Sequence, residues 1–464
     1  MSEVPEKLPN SDAAVRALVD RGLPKHESQA KAALLARCAA ALGEAGVRGE
    51  SAMHAIVVPG RIEVLGKHTD YAGGRSLLVA TERGFCLIVS PRGDSTVRMI
   101  DVVRRVGVEF EIRPDLVPGP DWTNYPMAVA RRLARNFSGP LLGADIAFGS
   151  DLPADSGLSS SSALITATFL ALAHASRLAE RPEYRRHVDG IERLGEYLGT
   201  CENGQSFGPL AGDKGVGTFG GSEDHTAILC SKPGTLSVYS FCPVRLERTL
   251  PMPPGMVFAA AFSGITANKT GAAKDQYNRA SRLASAAAEQ WRRATGRTDP
   301  HLASIIAGSP DARERLCTML KAADESDSGA GGLLRRGEQF IVENEEIIPA
   351  AVDALAAGDL VAFGRQVDRS QQYAISHLGN QVPQTIFLAR CARELGAVAG
   401  SAFGAGFGGS VWAMVRSDSA SDFVREWKAA YRAKFPAAAA RAEFFITGAG
   451  PGAISIELDE GMKG

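Results

Sequence analysis

The chain has 464 residues, of which 45% are hydrophobic and 22% charged, and its 51 lysines and arginines nearly cancel its 52 aspartates and glutamates. That length favours two domains with ample core, and a net charge of −1 gives no sign of nucleic acid or a membrane surface as partner. No apolar run reaches the ~18 residues a membrane helix needs, the charged N-terminus lacks a signal-peptide core, and seven scattered cysteines without a Cys-x-x-Cys pair point to reduced thiols in a cytoplasmic protein.

In chain order, residues 11–46 read as helix and Ala55 to Val89 as strands separated by turns. Within them, "PGRIEVLGKHTDYAGG" (59–74) reads as a half-buried strand, with Ile62 and Val64 alternating with Arg61 and Glu63, followed by a polar loop. Residues 123–136 read as helix, "GADIAFGSDLP" as a strand entering a loop, and "DSGLSSSSALITATFLALAHA" as a loop running into a long apolar helix. A further helix is expected over 183–203, then a loop and strands through "GGSEDHTAILC" and "LSVYSFCP". After "LPMPPG" the second half brings a buried strand ("MVFAAAFSG"), helices over 270–295, 310–322, 333–357 and 383–396, a flexible surface loop at 324–332, and a glycine-rich loop entering a strand ("GSAFGAGFGGSVWAMV"). The closing "AEFFITGAGPGAISIE" reads as strand, loop, strand. Strands and helices mix in both halves, an α+β or α/β pattern in two domains, 1–248 and 249–464. The region 300–335 has no account at this level.

Function concentrates in three stretches. "LPADSGLSSSSALITATFLAL" (152–172) sets glycine and four serines before an apolar helix. A helix start carries unpaired N–H groups and the positive end of the macrodipole, which suit phosphate, and the serine hydroxyls can ligate Mg²⁺; the same residues also suit a serine-rich N-cap before a core helix. Neither a Gly-x4-Gly-Lys-Ser/Thr loop nor a Gly-x-Gly-x-x-Gly turn after the first strand is present, which sets aside P-loop and Rossmann sites. The sparse side chains of "SAFGAGFGGSVWAM" (401–414) suggest a backbone lying close to something bulky, or a hairpin connection.

Together, and in this order, "PGRIEVLGKHTDYAGG", "LPADSGLSSSSAL" and "GSAFGAGFGGSVWAM" resemble the GHMP kinase superfamily and, within it, the galactokinase family, with secondary matches at "WTNYPMAV", "KDQYNRAS" and "SQQYAISH". The resemblance spans residues 59 to 414. It implies a ribosomal-S5-like βαβ N-terminal domain, a ferredoxin-like C-terminal domain and an active site between them. ATP phosphates would rest on Gly157, Leu158, Ser159, Ser160 and Ser161, with Gly404 and Gly406 in the second loop and Mg²⁺ on Ser161 assisted by Glu202. Phosphoryl transfer to a sugar hydroxyl requires alignment, charge neutralisation and a destination for the proton. The resemblance assigns the catalytic pair to Arg61 and Asp224, with Glu223 as the acidic alternative, and the sugar contacts to His68, Asp70 and Tyr277. A carboxylate whose pKa is lowered by arginine is a poor base, so Asp224 is expected to orient the hydroxyl and take its proton late.

Five positions depart from the family pattern, one of them Glu63, close to Lys67. Glu223 and His225 flank Asp224 where methionine and glutamine are usual. Asp155 stands where a small residue is usual and is expected to face outward. Lys67 replaces a glutamate that accepts from the sugar's C6 hydroxyl; three donors and a positive charge suit a carboxylate there, so the expected substrate is galactose, a related sugar or galacturonate. The rivals are a non-catalytic sugar sensor on the same fold and a kinase for another small alcohol.

Overall fold

The computed structural model describes residues 11–47, 53–153, 156–266, 272–326 and 332–457. Among them, twelve strands form two sheets: β1 (His54–Leu65), β2 (Arg75–Pro91), β3 (Thr96–Asp101), β4 (Val106–Glu111), β5 (Ala144–Ser150), β6 (Thr235–Ser240), β7 (Arg245–Pro251), β8 (Met256–Phe262), β9 (Ala399–Ala402), β10 (Ser410–Arg416), β11 (Glu443–Thr447) and β12 (Ile454–Glu457). The larger sheet runs β12-β1-β2-β5-β3-β4, with β6 on the first part of β2 and β7 on β6. Its pairs are antiparallel except β3 with β5. Of the stretch 249–464, expected to lie wholly in a second domain, β12 pairs with β1 in this first sheet.

β1 is buried at all twelve positions rather than half-buried. Partner strands lie on both sides of it, and both of its faces are covered. Ile56, Val58, Ile62 and Val64 belong to the main core, while Ala55 and Val57 meet Leu35 and Cys38 in a smaller core on the other face. Arg61 and Glu63 are therefore held inside the protein instead of on its surface. The second face is covered by α1 (Ser11–Asp20) and α2 (Lys25–Glu44), broken from one expected helix at Gly22, whose φ is +94°, and Pro24. The main core is built on α3 (Asn124–Asn136), α4 (Ser160–Ala175), α5 (Pro182–His187), α6 (Ile191–Asn203) and α7 (Glu223–Cys230). The sequence around α7 reads as a loop entering strands; so short an apolar run has no diagnostic period, and burial of His225, Ala227 and Ile228 decides for helix.

A helical layer follows: α8 (Ala272–Thr295), α9 (Leu302–Ala307), α10 (Ala312–Ser326) and α11 (Leu333–Val342), packed around Trp291, Leu316 and Phe340. This accounts for most of the 300–335 region. Of the loop expected at 324–332, residues 324–326 end α10, and the Asp324 carboxylate accepts from the backbone N–H groups of Gly332, Leu333 and Leu334 at the start of α11; residues 327–331 lie outside the described residues. α11 passes through a π-helical turn, Glu343–Ile347, into α12 (Ile348–Ala356), and α13 (Leu360–Tyr373) runs into a second π turn, Ala374–Leu378. α13 is absent from the sequence reading although Asp359 caps it, accepting from Ala362 N.

The smaller sheet, β11-β8-β10-β9, is antiparallel. One face meets α14 (Pro383–Glu394) and α15 (Ala420–Lys434) through Leu388, Trp427 and Tyr431. The other turns Phe258, Trp412, Met414 and Phe445 into the same core as the larger sheet. Among the described residues no helix is long and apolar enough to cross a membrane.

The helical layer seats the loop after β1. Gly73 lies against His301, and a Cβ on Gly74 would come 2.8 Å from the Phe340 ring. Phe340 is fully buried, so Phe340→Ala is expected to cost about 3–5 kcal/mol in urea unfolding, the range for a large core truncation.

Candidate functional site

A cleft of about 660 Å³ opens between the end of β1, the loop before α4, the N-terminus of α7 and the loop between β9 and β10. Arg61, in β1, joins these elements. Its Nε and Nη2 lie 2.7 Å from Asp224 Oδ1, its Nη1 donates to the Gly157 carbonyl at 2.6 Å, and its guanidinium stands 5.7 Å from the Phe403 ring. Asp224 sits in the first turn of α7, its side chain 25% exposed. Glu223, the alternative acid, has a side chain only 5% exposed. Its Oε2 accepts from Ser76 and its Oε1 is 3.9 Å from Arg61. Burial, and then Glu63 and Asp70, hold its pKa well above the carboxylate range.

The loop before α4 turns through Gly157 and Ser159 at positive φ, and Gly157, Ser159, Ser160 and Ser161 line the cleft. Ser159 Oγ, in the cleft wall, is buried without a hydrogen-bond partner, as a hydroxyl awaiting an anion would be, whereas Ser156 Oγ, equally unpartnered, does not line the cleft. Leu158, expected among these residues, has its side chain in the main core; its carbonyl accepts from Arg61 N. Leu158 turns into the core while the serines that follow it stay at the cleft. Behind it, Ser162 Oγ reaches Glu202 Oε2 (2.7 Å) and Asp224 Oδ2 (3.2 Å), and Ser161 Oγ lies 3.5 Å from Glu202 Oε1. His225 holds the far side of Glu202, Nε2 to Oε2 3.0 Å, and its Nδ1 lies 3.2 Å from Thr166 Oγ1. The unusual histidine beside Asp224 is thus a buried orienting group for Glu202.

Hard oxygen donors of this kind fit Mg²⁺. Among the described residues no group of three His, Cys, Asp or Glu side chains could hold a metal. Ser160 and Ser161 also border an adjoining recess of about 170 Å³ walled by Phe85, Trp122, Tyr125 and Phe148.

The two loops touch through backbone. A Cβ on Gly404 would stand 3.0 Å from the Gly157 carbonyl and 3.4 Å from Arg61 Nη2, and Ser410 Oγ donates to Ser156 O. Glycine at 404 is what allows that approach. Gly406, expected at the same ligand, is not among the cleft-lining residues; it lies against Asn380.

At the other end, His68 and Asp70 line the cleft with Glu63 and Tyr71. His68 Nδ1 lies 2.9 Å from Tyr71 Oη and Nε2 3.3 Å from Ala405 O. Burial, with Arg336 nearby, lowers its pKa to about 4, so it is neutral. Asp70 accepts from Glu223 N, and burial raises it to about 6. Tyr277 cannot be placed: its side chain lies outside the described residues.

Lys67 corrects the sequence reading. It is not in the cleft wall; it is 1% exposed, and its ammonium donates to Ser370 on α13. Ser370 donates onward to Glu343 Oε1, which also accepts from Gly66 N. The lysine is drawn inward because the buried carboxylates of Glu63 and Glu343 need a cation nearby. Glu343 and Ser370 come from 270 to 300 residues away in sequence and could not be found from the motif. Nor could Arg336, whose Nη2 donates to His68 O, or Gln339, which donates to Lys67 O.

Two outcomes follow from this cluster. Lys67→Met leaves Ser370 and two buried carboxylates without their cation, and is expected to cost ~1–3 kcal/mol or more in urea unfolding. Burial raises Glu63 to about 7, against the opposing pull of Lys67 and Arg61 and with further push from Glu343. A carboxyl raised in the fold stabilises it while protonated, and that contribution is lost as pH rises through about 7. Glu63→Gln keeps the neutral form at every pH, so its melting temperature relative to wild type is expected to rise between pH 5 and pH 8.

The sequence matches the GHMP kinases N terminal domain over residues 124–200, the galactokinase galactose-binding signature over 47–91 and the GHMP kinases C terminal domain over 351–433. It is 28% identical to the galactokinase of Roseiflexus sp. (strain RS-1) over 385 residues, covering 82% of this chain and 88% of that protein. It is 29% identical to the galactokinase of Chloroflexus aggregans over 382 residues, 80% and 86%. The fold superposes on that of Lactococcus lactis galactokinase complexed with galactose, with a TM-score of 0.73 at 20% identity, over 91% of this chain and 99% of the other. With a larger departure it also superposes on Methanococcus jannaschii mevalonate kinase, TM-score 0.53 at 11% identity over 87% and 99%. The α+β two-domain arrangement expected from the motifs is that of these enzymes, and the chain belongs to the GHMP kinase superfamily and, within it, to the galactokinase family.

Proposed function

We propose that this protein transfers the terminal phosphoryl group of Mg-ATP to the anomeric C1 hydroxyl of galactose. One observation carries the reading: a single buried guanidinium, Arg61, binds both the acid at the sugar end, Asp224, and the carbonyl of Gly157 in the phosphate loop. Acceptor and donor are thereby held to one point. The galactokinase signature over 47–91 and the naming of its relatives as galactokinases support the same substrate.

In this reading the phosphates of ATP take the N–H groups of the α4 N-terminus and the free hydroxyl of Ser159. The aromatic recess beside Ser160 takes the base. Glu202 and Ser161 would hold Mg²⁺, which would neutralise phosphate charge there. Asp70 accepts from ring hydroxyls and His68 adds a neutral imidazole to the same wall. Asp224 accepts a hydrogen bond from the C1 hydroxyl and points its oxygen at phosphorus. The Asp224 carboxylate, paired with Arg61, takes the proton late, as the new O–P bond forms. Arg61 also offers positive charge to the equatorial oxygens in transfer. Galacturonate loses its rationale, because Lys67 is spent on Ser370 and does not reach the cleft. Seven unpaired cysteines suit the reducing cytoplasm.

Incubation with Mg-ATP and galactose, followed by phosphorus NMR, is expected to show a sugar 1-phosphate; phosphate on a primary hydroxyl, or no turnover with any monosaccharide, overturns the proposal. Asp224→Ala is expected to lower kcat by ~10²-fold or more, with circular dichroism and ATP affinity close to wild type. Near-normal turnover in that variant would transfer the role to Glu223.

A further inference from the structure

One group in the cleft wall is left without work by this mechanism. Glu63 lies two residues after Arg61 on β1 and lines the cleft beside Asp70 and Glu223. It is 3% exposed, and its Oε1 is buried with no hydrogen-bond partner. A buried carboxylate oxygen without a donor is costly, and where it faces a ligand cavity the missing donor belongs to the ligand.

The surroundings define that ligand. Asp70 and Asp224 share the wall with Glu63, and Glu223, held well above the carboxylate range, stands beside them. Each neighbouring cation is already engaged: Arg61 by Asp224 and Gly157, Lys67 by Ser370, Arg336 by His68 O and Gln339. A neutral hydroxyl supplies what the site lacks. A carboxylate on the sugar would meet like charge with no counter-ion to receive it.

Resting on the assignment of this cleft to a sugar, we propose that Glu63 determines specificity: its carboxylate accepts a hydrogen bond from a hydroxyl of a neutral hexose and rejects sugars that carry a carboxylate. Lys67 serves Glu63 from behind, as a buried cation that steadies the acid rather than as a reader of substrate. The carboxylate that touches the sugar has moved from the loop onto the rigid strand.

Calorimetric titration of the full chain with galactose and with galacturonate tests this, independently of turnover. Wild type is expected to bind galactose and to bind galacturonate at least tenfold more weakly. At pH 8, above the Glu63 pKa of about 7, Glu63→Gln keeps shape but removes charge and gains an N–H donor, and is expected to weaken galactose roughly tenfold, the difference between a charged and a neutral acceptor, and to narrow the preference over galacturonate. Glu63→Asp keeps the charge and shortens the reach; it is expected to weaken galactose while still rejecting galacturonate, and it decides the matter if Glu63→Gln does not fold. Equal binding of the two sugars by wild type, binding of neither, or variants that leave both affinities unchanged overturn the inference. Galactose bound selectively but never phosphorylated would instead sink the kinase assignment and leave Glu63 as the selector.

Discussion

The architecture of the site depends on keeping one guanidinium out of water. Arg61 is 4% exposed, and a buried arginine is tolerable only when its donors are spent in good geometry. Its partners come from Asp224 on α7, Gly157 before α4 and the Phe403 ring at the end of β9. Three segments separated by up to 340 residues are thus pinned to one strand. Any rearrangement that opens the cleft at this point would strand a charge in the interior, which gives the site its preorganisation.

Around this centre the protein stores an unusual density of buried acids. Glu63, Asp70 and Glu223 all have carboxyl groups pushed upward by burial. They are tolerated because Arg61 and Lys67 stand among them and because Ser76 and the Glu223 backbone supply donors. The helical layer α8–α11 is the other half of that arrangement. Arg336 and Gln339 bind the carbonyls of His68 and Lys67, and Glu343 takes the Gly66 N–H, so the loop after β1 is tied down at three consecutive residues. His68 holds a positive φ in this loop, a conformation that persists only under such constraint. Glu343 does its part from a π-helical turn, a distortion that re-aims a side chain relative to a regular helix.

The departures from the family pattern read as linked rather than isolated. His225 fastens Glu202, and Glu202 fastens Ser161 and Ser162 in the first turn of α4. Lys67 and Glu63 differ together, one turned inward and the other facing the cleft. Each pair exchanges charge within a closed volume, so a single substitution taken alone misleads: a lysine in a sugar-binding motif is a substrate contact only if nothing nearer claims it.

The linear sequence determined the family, the glycine-serine loop before α4, the polar loop after β1 and most helices, because glycine turns, serine runs and apolar periodicity act over a few residues. It also identified Arg61, Asp224, His68, Asp70, Ser161 and Glu202, all of which the fold brings to one cleft. What only tertiary structure decided was the direction of side chains and the company they keep. β1 is buried on both faces because strands and helices from distant segments surround it, which turned Arg61 and Glu63 inward. Leu158 and Gly406 left the ligand wall because core packing and Asn380 claimed them. Lys67 turned from the cleft because Ser370 and Glu343 arrive beside it from helices some 300 residues later. Burial and charge pairing are properties of neighbours in space, and no local pattern encodes which neighbours those will be.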